Sequence, residues 1–136
     1  SLVYVSSDRD YESFQHYQGT NWMAVPFQSS EKDDLKRHFR VCSKFEVESL
    51  GIDRKFEIPT LLILDGETQT IITEHGVDDL EEYEEKALEH WMDLYNLMRA
   101  MEEKYTEGKD NDNSHTSTHV KQRYDHHADS FSSLFT

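Results

Sequence analysis

Short apolar runs alternate with stretches in which apolar residues recur every three or four positions, the pattern of a chain that mixes strands and helices. Leu2, Val3, Tyr4 and Val5 form a β-branched and aromatic run closed by Ser6, Ser7 and Asp8, as a buried parallel strand ends before a helix. Asp8 or Asp10 can cap the helix that Tyr11, Phe14 and Tyr17 then mark, and Gly19 can end it. In the run from Trp22 to Phe27, Pro26 removes a ladder donor, so an edge strand or extended loop is expected there, packed over the core. Ser30 precedes an acidic turn, and Leu35 and Phe39 sit four apart. This predicts a capped helix from about Glu31 to about Arg40 with one narrow apolar stripe.

Between Val41 and Glu57 the pattern is lost: Phe45, Val47, Leu50, Ile52 and Phe56 are scattered among charges, and Gly51 is a breaker. Thr60 to Leu64 is then apolar on both faces and stops at Asp65-Gly66, which predicts a central or nearly central strand. Ile71 and Ile72 return after a turn too long for a two-residue hairpin, so an antiparallel pair is expected. Leu80, Tyr83, Ala87, Trp91, Leu94, Met98, Met101 and Tyr105 follow at spacings of three and four, with Asp78, Asp79, Glu81 and Glu82 at the electropositive start. This predicts one long amphipathic helix of roughly 28 residues and about 40 Å, whose last turns project beyond a small sheet. Packing on the core is the simpler use of its stripe, and pairing with a second copy as a homodimer is the competing one. From Glu107 the composition turns to Gly, Asp, Asn, Ser, Thr and His. The expected organisation is therefore one domain over residues 1–106 and a disordered His/Asp/Ser-rich tail over 107–136.

Charge narrows the partners. A formal net charge of -14 repels nucleic acid and an anionic membrane surface, so neither is expected. No apolar run is long enough to span a bilayer, and the first residues lack the basic start of a signal peptide; an intracellular setting, cytoplasmic or nuclear, is expected. Cys42 is the single cysteine and has no internal disulfide partner. The chain also opens at Ser1 inside an apolar run, without an initiator Met, which reads as a cut.

Three ordered segments carry a resemblance. Val3-Tyr4-Val5-Ser6-Ser7-Asp8-Arg9-Asp10 followed by Phe14, then Trp22-Met23-Ala24-Val25-Pro26-Phe27, then Ile58-Pro59-Thr60-Leu61 resemble, in order and spacing, motifs of the tryparedoxins and nucleoredoxins. The resemblance covers roughly Leu2 to Gly76. It implies a thioredoxin-like three-layer α/β sandwich, here incomplete because the N-terminal strand and active-site helix are missing, and a family activity of protein-disulfide reduction. It also implies that Pro59 is the cis-proline of that fold and that Ile58, Pro59 and Thr60 offer backbone groups to an extended peptide substrate. Spacing alone leaves Pro59 as an ordinary trans proline at a strand start.

The departures from the family matter as much. Its Trp-Cys-x-x-Cys lies just upstream of the run that opens here, so no catalytic residue is assigned and the chain is expected to be inactive alone. Cys42 cannot replace it, because exchange in this family needs an attacking and a resolving thiol; a packed, hydrophobe-like role is expected. Without the central strand, the strands at Leu2 to Val5 and Thr60 to Leu64 must pair directly, borrow a strand, or leave backbone groups unpaired. Lys44-Phe45-Glu46-Val47 matches a family stretch, but Leu50 to Glu57 then reads as an insertion able to displace the Pro59 loop. A redox-inactive peptide-binding or adaptor module is the rival reading. His115, His119, His126 and His127 suggest adventitious metal binding in the tail, and His16, His38, His75 and His90 are isolated in sequence; no metal site and no cofactor is expected. No Gly-rich phosphate loop and no basic patch with interleaved aromatics is present.

Overall fold

In the computed structural model, which describes residues 1–19 and 21–109, the elements follow the expected order of strand, helix, strand, helix, hairpin and helix. They fall into two units, Ser1–Thr60 and a second that begins at Leu61.

In the first unit, Val3–Tyr4 (β1) pairs in parallel with Met23–Ala24 (β2). Tyr11–Tyr17 (α1) connects them; such a parallel crossover needs an intervening element. Of the two candidate caps, Asp10 holds α1: its carboxylate accepts from the Ser13 N–H at 2.8 Å. Asp8 instead accepts from the Tyr4 hydroxyl at 2.9 Å and the Ser6 hydroxyl at 2.5 Å, fixing the turn after β1. Asp10→Ala is expected to lower stability by removing the cap of α1. Urea unfolding would check this, and Asp8→Asn should act through the Tyr4 turn and leave α1 helicity intact.

Gly19 follows α1 at φ +59, where a Cβ would meet the Trp22 indole at 2.4 Å. Glycine is thus required both for backbone conformation and for space. The indole N–H of Trp22 donates back to the Gln18 carbonyl. Trp22 and Phe14 both stack on Tyr4, with centroids 6.2 Å away in each case, and Phe14 also meets Phe27 at 5.5 Å. Phe14 and Val25 are buried here; burying a side chain of the size of Phe14 contributes about 2 to 3 kcal/mol.

Ser30–Phe39 (α2) begins one residue earlier than the sequence suggests, because Ser29 rather than Ser30 is the cap and accepts from the Lys32 N–H at 3.3 Å. It ends at Arg40, a left-handed residue at φ 58. The irregular stretch that follows has more order than its pattern implies. A tight turn over Lys44–Glu46 leads into Val47–Leu50 (α3), which Gly51 closes. The segment after Gly51 then returns to Arg40: its carbonyl accepts from the Lys55 and Phe56 N–H groups at 2.9 and 3.1 Å, and its guanidinium binds the Asp53 carbonyl and carboxylate at 2.7 and 2.8 Å. An isolated parallel bridge joins Val41 to Phe56. The inserted residues are therefore tied down on the end of α2.

In the second unit, Ile63–Leu64 (β3) pairs antiparallel with Ile71–Thr73 (β4), as the hairpin reading expects. The strand is shorter than Thr60 to Leu64, and it is not central: β1–β2 and β3–β4 are separate two-stranded sheets. Residues Thr60 to Leu62 form no ladder, so their apolar character reflects partial burial and not a place inside a sheet.

The long C-terminal helix is present and is interrupted once: Gly76–Tyr83 (α4) runs through a tight turn over Glu84–Lys86 into Ala87–Lys109 (α5). The interruption is at Glu84, whose φ of 50 and ψ of -122 leave the helical region. Glu81, Glu82, Glu84 and Glu85 place like charges three and four apart, a spacing that destabilises continuous helix. Asp79, nearly buried, accepts from the Trp91 indole N–H at 2.8 Å and joins α5 to α4. α5 packs on β4, while Met101 and Tyr105 remain exposed. The tail and its histidines lie outside the described residues.

Candidate functional site

The loop at Ile58–Pro59–Thr60 follows the Val41–Phe56 bridge and closes the first unit. The Ile58–Pro59 peptide is cis. Ile58 is 48% exposed, Pro59 is exposed, and Thr60 is turned inward enough for its hydroxyl to donate to the Glu57 carbonyl. Among the described residues, no hydrogen bond uses the backbone N–H or C=O of Ile58 or the N–H of Thr60. An exposed backbone with free donors and acceptors is what an extended peptide can pair with.

Cys42 is completely buried. Burial raises its thiol pKa above the ordinary value, and the negative charge of Glu46 raises it further. A buried, protonated thiol is a poor nucleophile, so the packed role expected for Cys42 is the one its surroundings give it. Its carbonyl accepts from Arg54 at 3.4 Å, which ties it to the returning segment.

Next to Cys42 lies a polar cluster that sequence reasoning missed. The Glu46 carboxylate accepts from the Ser43 N–H at 2.9 Å, the Ser43 hydroxyl at 2.7 Å and the Ser7 hydroxyl at 2.7 Å. Its other oxygen pairs with the ammonium of Lys36, a residue only 4% exposed, which also donates to Ser7 at 3.1 Å. Burial by itself raises the carboxyl pKa of Glu46, but the hydrogen bonds from Lys36, Ser7 and Ser43 outweigh it and hold it at about 2, below the ordinary 4.5. The Ser43-x-x-Glu46 spacing, a capping-box signature, is the signal that could have found part of it; nothing in the sequence points to Lys36 or Ser7. The cluster joins the turn after β1, α2 and the start of the Lys44–Glu46 turn. No buried side-chain polar atom among the described residues is left without a partner.

His90 corrects the expectation that the four scattered histidines lack partners. Its ring stacks on Tyr83 at 4.3 Å and lies 3.9 Å from the Asp79 carboxylate. Among the described residues no group of three His, Cys, Asp or Glu side chains is placed to hold a metal ion. No helix among them is long and apolar enough to cross a membrane.

The strand–helix–strand–helix order of the first unit and its cis-proline loop define an α/β chain of thioredoxin type, and the family model described as "Thioredoxin-like" matches residues 1–70. The chain belongs to the thioredoxin-like family. It is also similar to a probable nucleoredoxin 1 of Arabidopsis thaliana, with 33% identity over 78 residues, which is 57% of this chain. The matched stretch spans only 12% of that relative's length. No solved structure matches the chain.

Proposed function

We propose that this chain serves in protein thiol–disulfide exchange of the nucleoredoxin and tryparedoxin type, as the part that binds the peptide substrate, and that it carries no reductase activity alone. The observation behind this reading is a thioredoxin-like match over residues 1–70 combined with a single, fully buried thiol. Exchange needs a thiolate attacker and a second thiol to resolve the mixed disulfide. Cys42 is neither accessible nor paired. Ile58, Pro59 and Thr60 are the proposed substrate-binding residues, because Ile58 and Pro59 are exposed and, among the described residues, the Ile58 N–H and C=O and the Thr60 N–H make no hydrogen bond. The partner at this edge is an extended protein or peptide segment, and a reducing compartment such as the cytoplasm or nucleus is the setting that such chemistry suits.

Insulin-disulfide reduction with dithiothreitol tests the proposal, on this chain and on a version with a Trp-Cys-x-x-Cys segment placed ahead of Ser1. Turnover is expected only with the added segment. Turnover by the chain itself, abolished in Cys42→Ser, would overturn the reading. Turnover by neither would favour a redox-inactive peptide-binding module.

A further inference from the structure

Four cations of the first unit are paired with carboxylates. Lys36 pairs with Glu46, Arg37 with Asp34, Arg40 with Asp53 and Arg54 with Glu57. Arg9 and Lys32 differ: among the described residues, neither forms an ion pair with a carboxylate. Each is held over an aromatic ring instead, Arg9 at 4.5 Å from the Phe45 centroid and Lys32 at 4.7 Å from that of Phe27. Both line one cleft.

That cleft has a volume of about 670 Å³ and is walled by Phe27 and Phe45, with the first turn of α2 along one side. Asp8 and Asp33 also reach it. Asp8 is occupied by the hydroxyls of Tyr4 and Ser6, so its charge is already solvated by the protein. Asp33 forms no ion pair, and it is the acid that a bound anion would meet. Guanidinium and ammonium groups held in place over rings lose little freedom when they bind an oxyanion, and the start of α2 adds positive potential.

We propose that this cleft binds a small phosphate monoester with an apolar body, its oxyanion held by Arg9 and Lys32 and its apolar part against Phe27 and Phe45. Lys32 is partly buried, and desolvation lowers its pKa; a bound anion would act in the opposite direction.

Phenyl phosphate and inorganic phosphate, titrated into the full chain and followed by calorimetry or amide NMR shifts, test this. Phenyl phosphate is expected to bind saturably, and more tightly than inorganic phosphate, because only the ester uses the aromatic walls. Arg9→Gln and Lys32→Gln should each weaken it about tenfold, the loss of one charge-assisted contact. Asp33→Asn should act in the opposite direction and tighten it about twofold or more, by removing a like charge beside Lys32. Circular dichroism checks that the variants are folded, and neither Arg9 nor Lys32 forms an ion pair that folding would lose. Absence of saturable binding in the native chain would overturn the proposal. So would unchanged affinity in Arg9→Gln and Lys32→Gln, equal binding of the two phosphates, or weaker binding in Asp33→Asn.

Discussion

Glu46→Gln is expected to lower the stability of the folded chain at neutral pH by about 3 to 5 kcal/mol, because it leaves the buried ammonium of Lys36 without its counter-charge. That is a large part of the roughly 5 to 15 kcal/mol by which a domain is stable at all. The magnitude follows from position. Lys36 is buried, its partners are Glu46 and Ser7, and the same carboxylate also accepts from Ser43 and Ser7, so one substitution disconnects three segments. The pH dependence provides a second, sharper readout. The folded pKa of Glu46 is about 2 against an ordinary 4.5, a depressed value, so its contribution is present above 4.5 and is lost as pH falls through 2. Glutamine resembles the protonated acid in shape and charge. The stability gap between the native chain and Glu46→Gln should therefore be widest at neutral pH and close between pH 4.5 and about 2. Urea unfolding at a series of pH values measures this; a gap that stays constant with pH would mean that the charge of Glu46 contributes nothing.

The double variant Lys36→Met with Glu46→Gln separates the pair from its parts. Removing both charges takes away the desolvation cost along with the attraction, so the double variant is expected to be more stable than Glu46→Gln alone. If the two losses simply added, Lys36 and Glu46 would be acting independently, against the contact between them.

What the sequence made legible in this region, and what it hid, divide along a physical line. Features set by neighbours in the chain were readable: the Asp10 cap reaches only to Ser13, and the hairpin at Ile63 to Thr73 turns on Asp65-Gly66. The start of α2 was misplaced by one residue because Ser29 and Ser30 are both competent caps, and local chemistry does not choose between them. The burial of Cys42 was legible because a lone cysteine has no second thiol to exchange with and packs as a small apolar residue. The link from Lys36 to Ser7 spans 29 positions and has no periodicity, so only the fold reveals it. The extent of the strand at Ile63 was overestimated for a related reason: an apolar run signals burial, whereas strand structure also needs a partner ladder. The loop at Ile58, Pro59 and Thr60 was legible only through the family motif, since spacing by itself favoured an ordinary proline. The break at Glu84 was a matter of charge rather than of apolar period, and the stripe from Leu80 to Tyr105 runs across it unchanged.

Gly76→Ala is expected to destabilise the second unit by about 2 kcal/mol or more, although the same change in an open helix stabilises by up to about 1 kcal/mol. Gly76 is the first residue of α4 and is buried. Its N–H donates to the Leu61 carbonyl at 3.1 Å, so the helix start is held against the residues that lead into β3. A Cβ there would lie 2.6 Å from that carbonyl oxygen and 2.8 Å from the Leu61 Cγ. The side chain of Leu61 can rotate, but the oxygen belongs to the backbone and can withdraw only by giving up the hydrogen bond. The substitution therefore loses packing and the tie between Leu61 and α4 together, and the gain in helix propensity is too small to offset them. Gly108 offers the internal control: it lies near the end of α5 with nothing within 4 Å of its added Cβ, so Gly108→Ala should leave stability unchanged or raise it slightly. Thermal unfolding followed by circular dichroism compares the two directly. If Gly76→Ala stabilised as Gly108→Ala does, Leu61 would not be packed against the start of α4, and the close approach there would have to be abandoned.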